Sequence, residues 1–173
     1  PNLYNIPIVV TRFSNIYGPG QLNFTALIPE AIKSNIENKK FVARGNGKSI
    51  RDYIYIDDII DVYKIIAKNL FKNPKKYSGE VFNAGTNIKH TTQYIVKKIF
   101  LLNNLSSKNI FNKNKKTSGE ISVQYMNYRK LYKYFKWKPK RKFEKILPSL
   151  YTWYKNYLST KKWKLQSIWL VQI

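Results

Sequence analysis

The feature that most constrains this fold is an apolar, β-branched segment that ends abruptly in a turn. Residues Ile6–Phe13 carry apolar side chains on both faces, which is typical of a strand buried in a parallel sheet. At Asn15 the chain changes to a turn segment that contains Gly18 and Gly20. Because ligands bind where the strands of an open α/β sheet end, this turn is a candidate binding site.

Predicted helices and strands alternate along the rest of the chain, which indicates an α/β fold. Apolar spacing predicts a helix over Ala26–Asn38 and further helices at DDIIDVYKIIAKNLF, TTQYIVKKIFLLN and FEKILPSLYTWYKNYL. A short helix is also predicted in MNYRKLYKYFKWKP, ending before Pro139. Two strands are predicted around the Gly45-Asn46-Gly47 turn, in KFVA and SIRDYIYI, and another in EVFNAG. A weak strand is expected in the Lys-rich loop after residue 103, and NPKKYSG is predicted to be a loop.

The predicted strand after the Gly-Asn-Gly turn has two different faces. One face carries Ile50, Asp52, Ile54 and Ile56, and the other carries Arg51, Tyr53 and Tyr55. The planar guanidinium of Arg51 suits a diphosphate, and the alternative is an ion pair with Asp52 or Asp57. Asp57 and Asp58 are expected to cap the next helix and favour its dipole. Its predicted apolar stripe consists of Ile59, Ile60, Tyr63, Ile66, Ala67 and Leu70.

The charge is strongly positive, with 32 Lys and Arg against 9 Asp and Glu, for a formal net charge of +23. Only five of these cations are Arg, whereas proteins that read phosphate and guanine commonly depend on the guanidinium fork. Lys is spread through a chain that is also rich in Asn, Ile and Tyr, and this mixture indicates compositional drift toward A/T-rich codons. Specific nucleic-acid binding is therefore not expected, although the positive field favours anionic small ligands.

Several other classes of protein do not fit this composition. The chain contains no Cys, so disulfide frameworks and thiolate zinc sites are excluded. A metal site is not expected, because His90 is the sole His and lies far from other candidate ligands along the chain. The absence of a long apolar run and of a signal peptide predicts a cytoplasmic protein that does not enter a membrane.

Five motifs carry a resemblance to a known family. They are TRFSNIYGPGQ, NFTALIPEAI, GNGKSIRDYIYIDDIIDVY, GEVFNAG and GEISVQYMNYRKLYKYFKWKP, in that order. The order resembles that of the extended short-chain dehydrogenases, which are NAD-dependent sugar-nucleotide epimerases and dehydratases. The segment YGPGQLNFTALIP is most similar to the CDP-glucose 4,6-dehydratase branch. The resemblance implies the last strands of a Rossmann-type parallel sheet plus the small α/β substrate-binding domain of that family.

The resemblance also implies roles for individual residues. Asn15 would contact substrate or cofactor, Ser14 would contact the cofactor, and Arg51 would hold the diphosphate of the nucleotide sugar. The segments that would enclose the base and ribose contain Asn23, Phe24, Thr25, Val42 and Arg44. Asn83 would order the site from the end of its strand. A further Arg or His that often contacts the diphosphate is missing, so Lys115 or Lys116 would have to replace it.

The cofactor implied is NAD or NADP, but neither its Gly-rich loop nor the catalytic Tyr-x-x-x-Lys pair is recognised in matching position. The first residue is Pro1, so we expect a C-terminal fragment whose N-terminal Rossmann half is a partner if encoded separately. Residues 1–158 would form the epimerase/dehydratase part, and residues 159–173 a tail of unknown role. The main hypothesis is a substrate-binding half without catalytic residues; the alternatives are a polyanion-binding fragment and a degenerate relic without a stable fold.

Overall fold

The computed structural model describes residues 5–43, 46–103, 110–112 and 121–170. The chain divides into two units, each made of discontinuous segments. Unit 1 comprises residues 1–17, 49–91 and 119–141, and unit 2 comprises residues 18–48, 92–118 and 142–173. Arg44, Lys115 and Lys116 lie outside the described residues.

Unit 1 contains two parallel strand pairs. Strand β1 (Val10–Phe13) pairs with β6 (Val81–Ala84), and β2 (Asn15–Tyr17) pairs with β5 (Tyr53–Tyr55). The predicted strand Ile6–Phe13 is therefore too long, because pairing with β6 begins only at Val10. The strand is parallel as predicted, but it is not buried on both faces as its apolar pattern suggested, because Val10 and Arg12 are exposed.

A small three-stranded sheet completes the strands of unit 1. Strand β4 (Ile50–Arg51) lies between β7 (His90–Thr91), which is antiparallel to it, and β9 (Val123–Gln124), which is parallel. The predicted continuous strand SIRDYIYI is thus wrong, because the chain leaves one sheet at Asp52 and joins another at Tyr53.

The described residues of unit 1 form helices α2 (Ile56–Lys72), α3 (Pro74–Tyr77) and α5 (Arg129–Phe135). The loop predicted at NPKKYSG is wrong, because Pro74 opens the short helix α3 and Asn73 caps it through the Lys76 N–H. Together, β5, β6, α2 and α5 enclose one apolar core, which consists of Ile54, Ile59, Val62, Ile66, Phe82, Ala84, Leu131 and Trp137.

The predicted stripe on α2 is only partly correct. Ile59 and Ile66 are buried as expected, but Ile60 and Tyr63 are 41% and 53% exposed. The buried face instead runs through Asp58 and Val62, which the apolar pattern did not select. The buried face of α2 is therefore rotated relative to the predicted one, because Asp58, whose carboxylate is ion-paired, occupies a core position.

Unit 2 consists of helices α1 (Leu27–Ile36), α4 (Thr92–Leu101) and α6 (Phe143–Leu170) with the parallel strands β3 (Phe41–Ala43) and β8 (Ile110–Asn112). Its helices pack through α1, where Ile28, Ala31 and Ile32 are buried as the spacing predicts. The buried Asn35 satisfies its amide within this core, because it donates to the Phe100 carbonyl at 3.4 Å and accepts from the Tyr151 hydroxyl at 2.6 Å.

Helix α6 runs across the predicted boundary at residue 158, so the role of residues 159–173 stays a prediction. Pro148 lies within this helix, as predicted. Further along it, the fully buried Tyr154 donates its hydroxyl to the Gln21 carbonyl at 2.7 Å. Burial raises the pKa of Tyr154 to about 12, because the neutral phenol is favoured away from water.

Tyr154 should make folding sensitive to alkaline pH. In the unfolded chain its phenol loses a proton near pH 10.0, whereas in the folded chain it holds the proton to about pH 12. The stabilisation is therefore complete below pH 10 and is lost as the pH rises toward 12. We expect urea unfolding to show wild type losing stability relative to Tyr154→Phe between about pH 10 and about pH 12. A difference that stays constant over this range would contradict the assignment.

Candidate functional site

The buried carboxylate of Asp52 organises the candidate site in unit 1. Asp52 is fully buried and accepts hydrogen bonds from the backbone N–H groups of Thr86, Asn87 and Met126 at 3.0–3.3 Å. The Thr86 hydroxyl donates a further hydrogen bond to the same carboxylate. These donors replace the water that a buried charge loses. Asp52 thus fastens two loops, around residues 86 and 126, to the end of β4.

Gly85 leaves the space in which these loops meet. A Cβ atom at this position would lie 2.7 Å from the Met126 Cβ and 2.8 Å from its carbonyl oxygen, and it would also clash with the Asp52 carboxylate. Any larger residue would therefore push apart the backbone that Asp52 holds together.

Asn15, the first residue of β2, joins the same network. Its backbone N–H and its side-chain amide donate to the Asp52 carbonyl oxygen at 3.0 Å and 2.9 Å. The structure thus shows a cross-strand structural contact for Asn15. A ligand contact by its remaining amide oxygen stays a prediction.

The sheet register brings Arg51, His90 and Gln124 into one row. Arg51 is directly opposite His90 on β7 and opposite Gln124 on β9. Directly paired residues project from the same face of a sheet, so the three side chains share a face. Distance along the chain was thus a poor guide to His90, which β-pairing places beside Arg51.

The carboxylates of Asp52 and Asp57 contact groups other than Arg51, so the ion pair that the sequence offered as an alternative is not formed. Asp52 has the donors described above, and the Asp57 carboxylate lies 3.6 Å from the Arg141 guanidinium. The Arg51 guanidinium donates to the Ile50 carbonyl at 2.9 Å. Its positive charge partly offsets burial at Tyr53, whose pKa is raised because the ring is buried.

Asp58 is not the helix cap that the sequence predicts. The N-cap of α2 is Tyr55, which makes no side-chain capping bond. The fully buried Asp58 instead accepts from the Arg141 guanidinium at 2.8 Å and from the Lys140 and Arg141 backbone N–H groups at 3.2 Å. This contact holds the segment after α5 against α2. It is a structural ion pair and not part of the row around Arg51.

The other predicted residues of unit 1 lie where β1 and β6 end. Asn83 is exposed and pairs in register with Arg12. The Ser14 hydroxyl is buried and has no hydrogen-bond partner among the described residues. A buried hydroxyl without a partner is costly, so a polar ligand atom beside Ser14 would be stabilising.

In unit 2 the predicted base and ribose segments have definite local structure. The side-chain amide oxygen of Asn23 accepts from the N–H and hydroxyl of Thr25 at 3.0 and 2.7 Å, which fixes the turn before α1. Phe24 packs edge-to-face on Tyr154, and the Lys33 amine lies over its ring at 5.1 Å. Val42 is 43% exposed on β3.

The described residues contain no group of three His, Cys, Asp or Glu that could hold a metal ion. Within the same ranges, no helix has both the length and the apolar character needed to cross a membrane.

Comparison with known proteins decides the family. The family model described as GDP-mannose 4,6 dehydratase matches residues 2–150. The chain belongs to this family. It is 38% identical over 96 residues to a dTDP-D-glucose 4,6-dehydratase of Dictyostelium discoideum, covering 56% of this chain and 20% of that protein. The mouse enzyme of the same name is 28% identical over 158 residues, covering 88% and 42%.

Solved structures agree with this assignment. The dTDP-glucose 4,6-dehydratase of Bacillus anthracis, solved in complex with NAD, has a TM-score of 0.77 and 31% identity over 90% of this chain and 47% of that chain. The UDP-glucose 4-epimerase of Thermotoga maritima, solved with UDP-glucose, shares the fold at a TM-score of 0.77 and 23% identity, covering 91% and 48%. These structures confirm the predicted α/β class, the extended dehydrogenase family and NAD as a family cofactor.

The chain spans less than half the length of the relatives described here. Their names concern dTDP-glucose and UDP-glucose, so the CDP-glucose branch stays a prediction.

The Asp52 network can be tested by an isosteric change. Asp52→Asn places an amide NH₂ among N–H donors and removes the charge, so we expect a loss of about 2–3 kcal/mol in unfolding free energy. Asp61→Asn is the matched control, because Asp61 is partly exposed and Arg141 keeps Asp58 as its partner. We expect that control to lose less than about 1 kcal/mol. Equal losses in urea unfolding would show that Asp52 has no special role.

Proposed function

We propose that this chain is the substrate-binding half of an NAD-dependent sugar-nucleotide 4,6-dehydratase or epimerase. The observation that carries the proposal is the row of Arg51, His90 and Gln124 on one sheet face, in a chain that belongs to the dehydratase family. A guanidinium, an imidazole and a carboxamide supply donors for the oxygens of a diphosphate.

The position of Arg51 next to Asp52 supports this role. Because Asp52 fixes the end of β4, the guanidinium starts from a rigid strand rather than from a loop. A preorganised donor loses less conformational entropy when it binds an anion. Gln124, on β9, would supply part of the diphosphate contact that a further Arg or His often makes in the family and that this sequence lacks.

Ser14 and Asn15 are proposed to contact the cofactor, and Asn15 and Asn83 the substrate. The partnerless buried hydroxyl of Ser14 fits a polar group of NAD or NADP at the end of β1. When bound, NAD supplies a hydride acceptor and donor. The residues described here only bind and orient, since no Tyr-x-x-x-Lys pair of this chain matches the family position.

In unit 2 we propose that Asn23, Phe24, Thr25 and Val42 contact the base and ribose, with Arg44 from outside the described residues. The part-exposed ring of Phe24 offers a face to a base, and its fixed turn holds that face in place. Val42 offers an exposed apolar surface on β3.

A polyanion-binding role is the second candidate, favoured by the net charge of +23. The two proposals differ in how binding responds to salt and to single substitutions. A polyanion surface loses affinity gradually as cations are removed and has a steep salt dependence, whereas a diphosphate site depends on a few positioned donors.

Arg51 should dominate nucleotide-sugar binding. We expect Arg51→Ala to weaken the binding of dTDP-glucose or UDP-glucose by roughly 2–4 kcal/mol, the scale for removing one partner of a buried charged pair. Arg51→Lys should recover only part of this loss, because it keeps the charge without the fork. His90→Ala and Gln124→Ala should each cost less. Calorimetric titration of the 173-residue chain measures all four variants.

The control is Lys48→Ala, which removes one exposed positive charge three residues earlier in the chain. It should leave affinity nearly unchanged, and thermal melts should show that all variants fold. Unchanged affinity in Arg51→Ala, or an equal loss in Lys48→Ala, would remove the support for a diphosphate site.

A further inference from the structure

A cavity of about 260 Å³ opens on unit 1, and none of its lining residues belongs to the proposed nucleotide-sugar site. It is lined by Asn87, Asn127, Tyr128, Arg129 and Tyr132. The lining thus combines one guanidinium, two carboxamides and two phenol rings, with no carboxylate.

The walls of this cavity are held in place before any ligand arrives. The Asn87 N–H and the Met126 N–H both donate to the Asp52 carboxylate at 3.3 Å, so one buried charge fixes both rims. The Asn127 side chain accepts from the Arg129 N–H at 2.7 Å, which sets the start of α5. Tyr128 packs edge-to-face on Trp137 with centroids 5.8 Å apart. Such a cavity binds with little reorganisation.

The charge of Arg129 is the feature that selects a ligand. Its guanidinium forms no ion pair with any carboxylate of the described residues, whereas Arg141 in the same unit contacts three aspartates. The Lys136 amine, 5.4 Å from the centre of the Tyr132 ring, adds positive charge nearby. A guanidinium fork matches a phosphate or a carboxylate.

The remaining lining points to a polyhydroxylated ring. Carboxamides both donate to and accept from hydroxyl groups, and tyrosine rings offer a flat apolar face together with a polar tip. The volume lies just below the range of roughly 300–1,000 Å³ for drug-sized ligands, so one ring with one phosphate fits better than a nucleotide. We propose that this cavity is a second binding site, separate from the Arg51 row, for a small phosphorylated sugar.

The test titrates glucose 1-phosphate into the 173-residue chain by calorimetry. Arg129→Gln should weaken binding by about tenfold or more, because it removes the fork and its charge. Lys133→Gln is the matched control, since Lys133 is exposed on the same helix but does not line the cavity. It should change affinity by less than about twofold.

Further arms separate the ligand from a simple anion and from the nucleotide-sugar site. Tyr132→Ala should weaken glucose 1-phosphate but not inorganic phosphate, and Arg51→Gln should leave the Arg129-dependent binding intact. Circular dichroism checks that each variant is folded. Equal losses in Arg129→Gln and Lys133→Gln, equal affinity for phosphate and glucose 1-phosphate, or no binding at about 10 mM would each overturn the proposal.

Discussion

The carboxylate of Asp52 is the contact on which unit 1 depends. Burying a charge costs several kcal/mol unless donors replace its hydration, and here three backbone N–H groups and one hydroxyl do so. These donors come from chain segments more than 30 and more than 70 residues away. The side chain of Asp52 therefore closes two long loops. Its backbone carbonyl oxygen also accepts a hydrogen bond from the side-chain amide of Asn15. Local propensity alone would not hold these segments together.

The same contact explains why the proposed binding groups lie at this end of the sheet. At Asp52 the chain passes from one sheet to another, so Arg51 is the last residue of β4. The loops that Asp52 fastens carry β7 on one side and β9 on the other. The row of Arg51, His90 and Gln124 and the cavity beside Asn87 and Arg129 are consequently built on one shared support. A ligand at either place would meet walls that are already positioned.

Interactions between residues close together in the sequence could be predicted, whereas those between distant residues could not. The spacing of Ile28, Ala31 and Ile32 predicted the buried face of α1, because helix periodicity and burial coincide there. On α2 they do not coincide, since the paired Asp58 takes a core position that an apolar pattern excludes. The position of His90 beside Arg51 could not be predicted either, because β-pairing joins residues that are far apart along the chain. Asp52 was predicted inside a continuous strand but lies between β4 and β5, and nothing near it in the sequence revealed its distant donors.

The excess of positive charge has a structural counterpart that bears on how function should be inferred. Acidic residues are few, and buried ones such as Asp52 and Asp58 already serve the fold. Several lysines instead place their amines over aromatic rings, as Lys89 does over Tyr125 at 4.3 Å and Lys33 over Phe24 at 5.1 Å. Among the described residues, Tyr and Phe thus accommodate lysines such as these two, which have no acidic partner. Net charge therefore says little about the ligand.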